Sequence, residues 1–401
     1  MQNLFAYQQC KDANYTLSLD TIENRFSPNL NSMEVQDKKE LARQKTQGVK
    51  AFEKAFKDGE KSIEHEDSHI QKSVNEAIIL YGKSVKKDFD FLRKSLVVES
   101  EKIFDRYIAV LSLAVSLAEA AKADTKINHT NFLKNSWIQA LSKSDDLKKL
   151  SLKQSLPWDK NFARVRQWLK DVVRQDAEYL NYLDKKSPTI DEQKKLMNHL
   201  FRKIILGKTS INDFFEEEVL YWAEDHDIVK GMVEKTVKSF NPEEDKDIQL
   251  HVLSLNWDDD RDFIERLFRE GANLDTKYKD LIANNTRNWE VERLPLTDRI
   301  ILEMAIAELI TFPNIPVKVT LNEYIELAKN YSTPKSHQFI NGILDVISKE
   351  LKAAGNVKKS GRGLIDQNRD WPQSRLRRLE NAGGHVRVGE IGFYPRRPHT
   401  Q

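Results

Sequence analysis

The chain has 401 residues, with 64 Lys and Arg against 62 Asp and Glu, a formal charge of +2. That length allows two or three domains with a sizeable core, and the near-neutral balance does not by itself announce nucleic-acid binding. A single cysteine, Cys10, excludes an intrachain disulfide, and only 14 Gly and 11 Pro among abundant Lys, Glu, Leu and Ala favour helices over sheets.

Met1 to Tyr7 lacks the basic segment and apolar run of a secretory signal. The longest uncharged apolar stretch, around Ile108 to Ala118, is about half of what a bilayer requires, so no membrane role and a cytoplasmic location are expected. Residues 1–19 read as a first helix anchored by Leu4, Phe5 and Tyr7, and residues 20–34, with Pro28 and several Asn, as a loop. From about 37 to 122 the pattern is helical and highly charged, with Phe89, Leu92, Leu96, Ile103, Tyr107, Val110 and Leu117 at three- and four-residue steps. Asp124 to His129 reads as a break, 130–150 as another helix, and Leu156-Pro157-Trp158-Asp159 as the start of a further one.

Residues 191–222 and 258–289 align without a gap at an offset of 67. Asp191 falls on Asp258, Leu200-Phe201-Arg202 on Leu267-Phe268-Arg269, and Trp222 on Trp289, while Leu196, Met197, Phe214 and Phe215 fall on Phe263, Ile264, Leu281 and Ile282. Two amphipathic helix pairs can repeat such positions through burial alone, but the shared Leu-Phe-Arg and the Trp spacing favour a structural repeat. Helices are then expected over Ile228–Phe240 and Thr297–Ile310, the latter closed by Phe312-Pro313-Asn314-Ile315-Pro316. Another opens at Thr320 or Asn322 and runs through Lys329. A last one, capped by Ser332-Thr333-Pro334, runs through Leu351 until Gly355 stops it. From Lys358 to Gln401 ten Lys and Arg stand against four Asp and Glu, and the segment 356–401 reads as a basic, disordered tail.

Catalytic chemistry finds little support. His65-Glu66-Asp67-Ser68-His69 spells the H-E-x-x-H zinc signature, yet it sits in a charged stretch, Glu60 to Asp67, with no convincing third ligand. No phosphate-binding G-x-x-x-x-G-K-[ST] or G-x-G-x-x-G is present, and Cys10 lies in no nucleophile motif. No catalytic residue, metal or cofactor is expected.

The residues that carry specific information lie between 288 and 345. They are Asn288-Trp289-Glu290-Val291-Glu292-Arg293-Leu294, Asp298-Arg299-Ile300-Ile301-Leu302, Ala305-Ile306-Ala307-Glu308-Leu309, Ile315-Pro316-Val317-Lys318-Val319, Asn322-Glu323-Tyr324-Ile325-Glu326-Leu327-Ala328-Lys329 and Ser336-His337-Gln338-Phe339-Ile340-Asn341-Gly342-Ile343-Leu344-Asp345. In order and spacing these blocks resemble the NusB transcription-antitermination family over about 100 residues, Asp258 to Leu351, with a weaker echo at Gln2–Tyr7. The resemblance implies an all-α fold: a NusB-like helical bundle at the C-terminus with a helical, partly extended N-terminal and insert region. It divides the chain into a first helix (1–19), a helical insertion like that of relatives in the Bacteroidetes group (20–190), a repeat-like segment (191–257), a core (258–355) and the tail (356–401).

The resemblance further implies a non-enzymatic adaptor. Its expected partners are a boxA-type RNA, the ribosomal small-subunit protein NusE and, through them, the transcription elongation complex. Tyr331, Lys335, Phe339, Arg293, Lys318 and Phe5 are the expected RNA contacts, with aromatic rings for unstacked bases and cations for phosphates. Phe339 can equally be core, spaced with Ile343 and Leu344. Asp298 and Arg299 start the helix resembling the family's NusE-contacting surface, where a helix cap and a surface charge are the plainer roles. Two departures stand out: the family's arginine-rich run before the first helix is missing, and Lys335 occupies a position that is often acidic. The missing run leaves open a helical interaction scaffold that has lost RNA binding. NusB-like domains also precede rRNA methyltransferases, but the 50 residues after Leu351 hold no strand and Gly-rich loop for such an enzyme.

Overall fold

The computed structural model describes residues 1–29, 36–153, 156–286 and 294–367. Among them are sixteen α-helices and no strand, an all-α fold. In chain order they are α1 (Gln2–Arg25), α2 (Lys38–Asp58), α3 (Ser68–Lys122), α4 (Thr130–Leu133), α5 (Ser136–Lys143), α6 (Asp145–Ser151), α7 (Phe162–Asp171), α8 (Ala177–Leu183), α9 (Ile190–His199), α10 (Thr209–Glu218), α11 (Trp222–Ser239), α12 (Trp257–Ala272), α13 (Thr276–Asn285), α14 (Leu296–Thr311), α15 (Val317–Tyr331) and α16 (Ser336–Ala353). As far as the described residues go, they form two compact units, residues 1–97 with 258–367, and residues 98–257.

In the first unit α1 runs six residues beyond the end expected from the sequence. The reason is burial: Ile22 and Phe26 pack with Phe52, Ile70, Val74 and Ala77 in a small apolar cluster, so the turn that carries Ile22 stays helical. The helical stretch expected over about 37–122 is built of two helices. Asp37 caps α2 by accepting from the amides of Lys39 and Glu40, and Gly59, at φ +71°, closes it in the left-handed conformation that suits glycine. His65 lies in the break and His69 in the first turn of α3, so the two histidines share no helix face. His65 instead accepts from the Asp67 amide at 3.0 Å.

The second unit is organised around Tyr107–Ala121 of α3, nearly every residue of which is buried. Three indoles pack against this core and each finds an acceptor for its N–H. Trp137 donates to the Val237 carbonyl at 3.0 Å, Trp158 to that of Ala109 at 2.9 Å, and Trp222 to Asn212 at 3.2 Å. The helix expected over 130–150 is three short ones, because Asn135 and Ser144 act as N-caps within it. The helix expected from Leu156 begins only at Phe162, with Trp158 buried in the turn before it.

The 67-residue offset reappears in the helix boundaries. Residues 190–205 and 257–272 are the long helices of two pairs, and α10 and α13 begin and end 67 residues apart (276 − 209 and 285 − 218). Phe201 and Phe268 are both buried, as are Phe215 and Ile282. Trp289, the counterpart of Trp222, lies outside the described residues. One copy differs: Leu200–Ile205 is a π-helical turn, closed by the Leu206 amide donating to the Phe201 carbonyl at 2.9 Å. A Cβ on Gly207 would meet the Lys203 and Arg202 carbonyl oxygens at 2.6 and 2.7 Å, so that position admits only glycine.

Arg106 pairs with Asp225 inside the second unit and with Glu99 at 3.0 Å. Burial pushes the Asp225 carboxyl up to about 6 against the pull of Arg106. The folded state therefore holds a proton that the unfolded state has lost between pH 4 and 6, and stability rises as pH falls through that window, by up to roughly 3 kcal/mol. Urea unfolding at pH 7 and pH 5 should show a larger gain for the wild type than for Asp225→Asn, the difference being the share of Asp225.

Candidate nucleic-acid interface

α14 is the buried helix of the first unit, packed against α1, α13, α15 and α16. Ten of its sixteen residues are buried, and Arg299 is the most open of the rest, with 44% of its side chain exposed. Two of the buried residues are carboxylates, and each meets a hydroxyl from α15 or the turn after it. Glu308 accepts from the Tyr324 hydroxyl at 2.9 Å, and Asp298 accepts from the Ser332 hydroxyl. Burial raises the Glu308 carboxyl and, beside that carboxylate, the Tyr324 hydroxyl, so both hold their protons more tightly than in water.

Asp298 thereby fixes the turn between α15 and α16. Ser332 leaves α15 in extended backbone, and Thr333 and Ser336 tie the turn with a hydroxyl pair at 2.7 Å and an amide-to-carbonyl bond at 2.9 Å. On this turn Tyr331 is exposed, the last residue of α15, and Lys335 is exposed at the start of α16. Lys335 is the N-cap of this 18-residue helix and makes no side-chain cap, so its exposed side chain stands at the positive end of the helix dipole. Phe339, one turn into α16, is half-buried against the core, which joins the two roles open to it from the sequence.

The structure thus places Tyr331 and Lys335 at the two ends of the α15–α16 turn, with Phe339 one helical turn further on. Lys318 is exposed but sits at the opposite end of α15, about 20 Å from Tyr331 at 1.5 Å per residue. Phe5 is exposed on α1, turned outward because Leu4 and Tyr7 face the core. Arg293 lies outside the described residues, as does most of the expected basic tail. Asp298, expected at a partner surface, is 2% exposed, so it acts on the surface by holding the turn; Arg299 presents the outer face of α14.

A second feature escaped the sequence. Between α1, α12, α13 and α14 a narrow cleft is lined by Lys11, Lys279, Arg299 and Glu303 beside Leu4, Tyr7 and Ile300. Arg299 Nε stands 3.9 Å from Glu303 Oε1, and the Lys11 ammonium lies 5.8 Å from the centre of the Tyr7 ring. Burial raises the Glu303 carboxyl, and burial together with Lys279 and Arg299 lowers the Lys11 ammonium, counter to the pull of Asp12 and Glu303. Only the four-residue step from Arg299 to Glu303 could be read from the chain. Lys11 and Lys279 come from distant segments that only the packing of α1 brings together.

Among the described residues no group of three or more His, Cys, Asp or Glu is placed to hold a metal ion, and no helix is long and apolar enough to cross a membrane. The family model described as the NusB family matches residues 226–349. The chain is 42% identical over 125 residues to the transcription antitermination protein NusB of Salinibacter ruber, covering 30% of this chain and 78% of that protein. It is 36% identical over 141 residues to that of Chloroherpeton thalassium (35% of this chain, 63% of the relative), and 45% identical over 93 residues to that of Dictyoglomus turgidum (22% and 62%). No solved structure matches significantly.

Removing the acceptor at Asp298 should release the α15–α16 turn. Asp298→Ala is expected to cost about 1–3 kcal/mol in urea unfolding, because a buried hydrogen-bonded group is lost. Asp298→Asn, which keeps an acceptor oxygen toward Ser332, should recover most of that loss.

Proposed function

The chain belongs to the NusB family, and on that premise we propose that it is a transcription antitermination factor that binds a boxA-type RNA together with the ribosomal protein NusE during rRNA operon transcription in the cytoplasm. It works by binding rather than by catalysis. The observation that carries the RNA half is the α15–α16 turn, where an exposed ring and an exposed cation share one corner tied to α14 by the Asp298–Ser332 hydrogen bond. An unstacked base on Tyr331 leaves its phosphate within reach of Lys335, and the helix dipole adds to the attraction. The half-buried Phe339 provides a wall behind that base. Phe5, Lys318 and Arg293 lie along other parts of the sequence and serve, in this reading, as outlying contacts to the strand.

The protein half rests on Arg299, the exposed residue of α14, with Asp298 behind it as the support of the turn. Joint recognition requires affinity for RNA and NusE together to exceed that for either alone.

Fluorescence anisotropy with a single-stranded boxA-type RNA, with and without NusE, tests the proposal. Tyr331→Ala should weaken RNA binding about tenfold, as expected for the loss of one stacked base. Lys335→Glu should weaken it further at low salt and reduce the slope of log affinity against log salt by about 1. A wild-type protein that fails to bind this RNA even with NusE present would sink the RNA half.

A further inference from the structure

The cleft between α1, α13 and α14 sets three cations, Lys11, Lys279 and Arg299, against one lining carboxylate, Glu303. Asp12, next to Lys11, is outside the lining and accepts a hydrogen bond from Gln8 at 2.9 Å. Surplus positive charge is costly where water is partly excluded, and Leu4, Tyr7 and Ile300 exclude it here. The lining therefore carries a surplus of two positive charges, which an incoming anion would reduce. Its cations come from three helices that border one narrow cleft, and Lys11 feels the charge of both Lys279 and Arg299. A nucleic-acid strand is held instead by a groove of charge that follows its backbone, whereas a single carboxylate suits the planar fork of an arginine flanked by two ammonium groups.

We propose that this cleft receives an aspartate or glutamate side chain of the protein partner, clasped by Lys11, Lys279 and Arg299, with Glu303 setting the cation balance. This rests on the reading of α14 as the partner-facing helix and adds the chemistry of the contact and the two lysines from α1 and α13. The carboxylate docks with its oxygens toward Arg299 and the ammonium groups, and the apolar walls take the methylene stem behind it. Glu303 holds Arg299 in place before the partner arrives, and competes with the incoming acid once it has.

The test uses the full chain and purified NusE in isothermal titration calorimetry, with circular dichroism melts as a check on folding. Lys11→Met and Lys279→Met should each weaken NusE binding about tenfold, Arg299→Met at least as much, and Glu303→Gln should tighten it several-fold, with the affinity for RNA alone changed less than twofold. In a carbodiimide reaction, which joins amines to carboxylates already in contact, Lys11 or Lys279 should be found linked to an Asp or Glu of NusE by mass spectrometry. Wild-type binding with no loss in the three cation variants overturns the cleft proposal and leaves the partner reading intact. No binding by the wild type overturns the partner reading itself. Loss of RNA affinity with NusE affinity unchanged overturns the proposal in favour of a phosphate site.

Discussion

A helix buried on nearly every side cannot carry inward carboxylates without partners, and α14 buries two of them. Asp298 near its start and Glu308 near its end each need a hydroxyl donor, since an unpaired buried acceptor costs about 1–3 kcal/mol. Ser332 and Tyr324 supply them. Those two bonds fix α15 antiparallel to α14, and they fix where α15 ends. The α15–α16 corner, with its exposed ring and cation, is therefore a consequence of how α14 is satisfied inside the protein. The recognition surface inherits its rigidity from the core.

The same helix joins the two faces of the proposed function. Asp298 points inward to the turn, while Arg299, the next residue, stands outside. A neighbouring pair splits in this way because successive helical residues lie about 100° apart. Arg299 also borders the cleft with Lys11, Lys279 and Glu303. The corner proposed for RNA and the cleft proposed for the protein partner are therefore both tied to one buried helix.

The C-terminal helices were largely legible in the sequence. Two prolines after Phe312, Ser-Thr-Pro before α16 and a clear apolar period place α14 and α16 within a few residues of their observed limits. α15 begins earlier than expected, at Val317, because Pro316 supplies the start. The charged helices were harder to delimit. Polar residues at 20–25 hid the fact that Ile22 anchors α1 to a local core, and Gly59 split a periodic stretch without interrupting its pattern. Among the site residues, Tyr331 and Lys335 could be read because they share a turn. The burial of Asp298 and the Lys11–Lys279 pairing could not, since both depend on contacts between distant segments.

The repeat shows how one backbone detail constrains what a sequence can become. Both copies share a sixteen-residue helix, a three-residue link and a ten-residue helix. In one, the wide turn at Leu200–Ile205 drives position 207 against its own carbonyls and leaves glycine there. In the other, the corresponding residue is Leu274, which is buried in the core of its unit. In the first copy the buried leucine is Leu206, one position earlier, so a single amide that reaches one acceptor further back moves the anchor of the link by one residue.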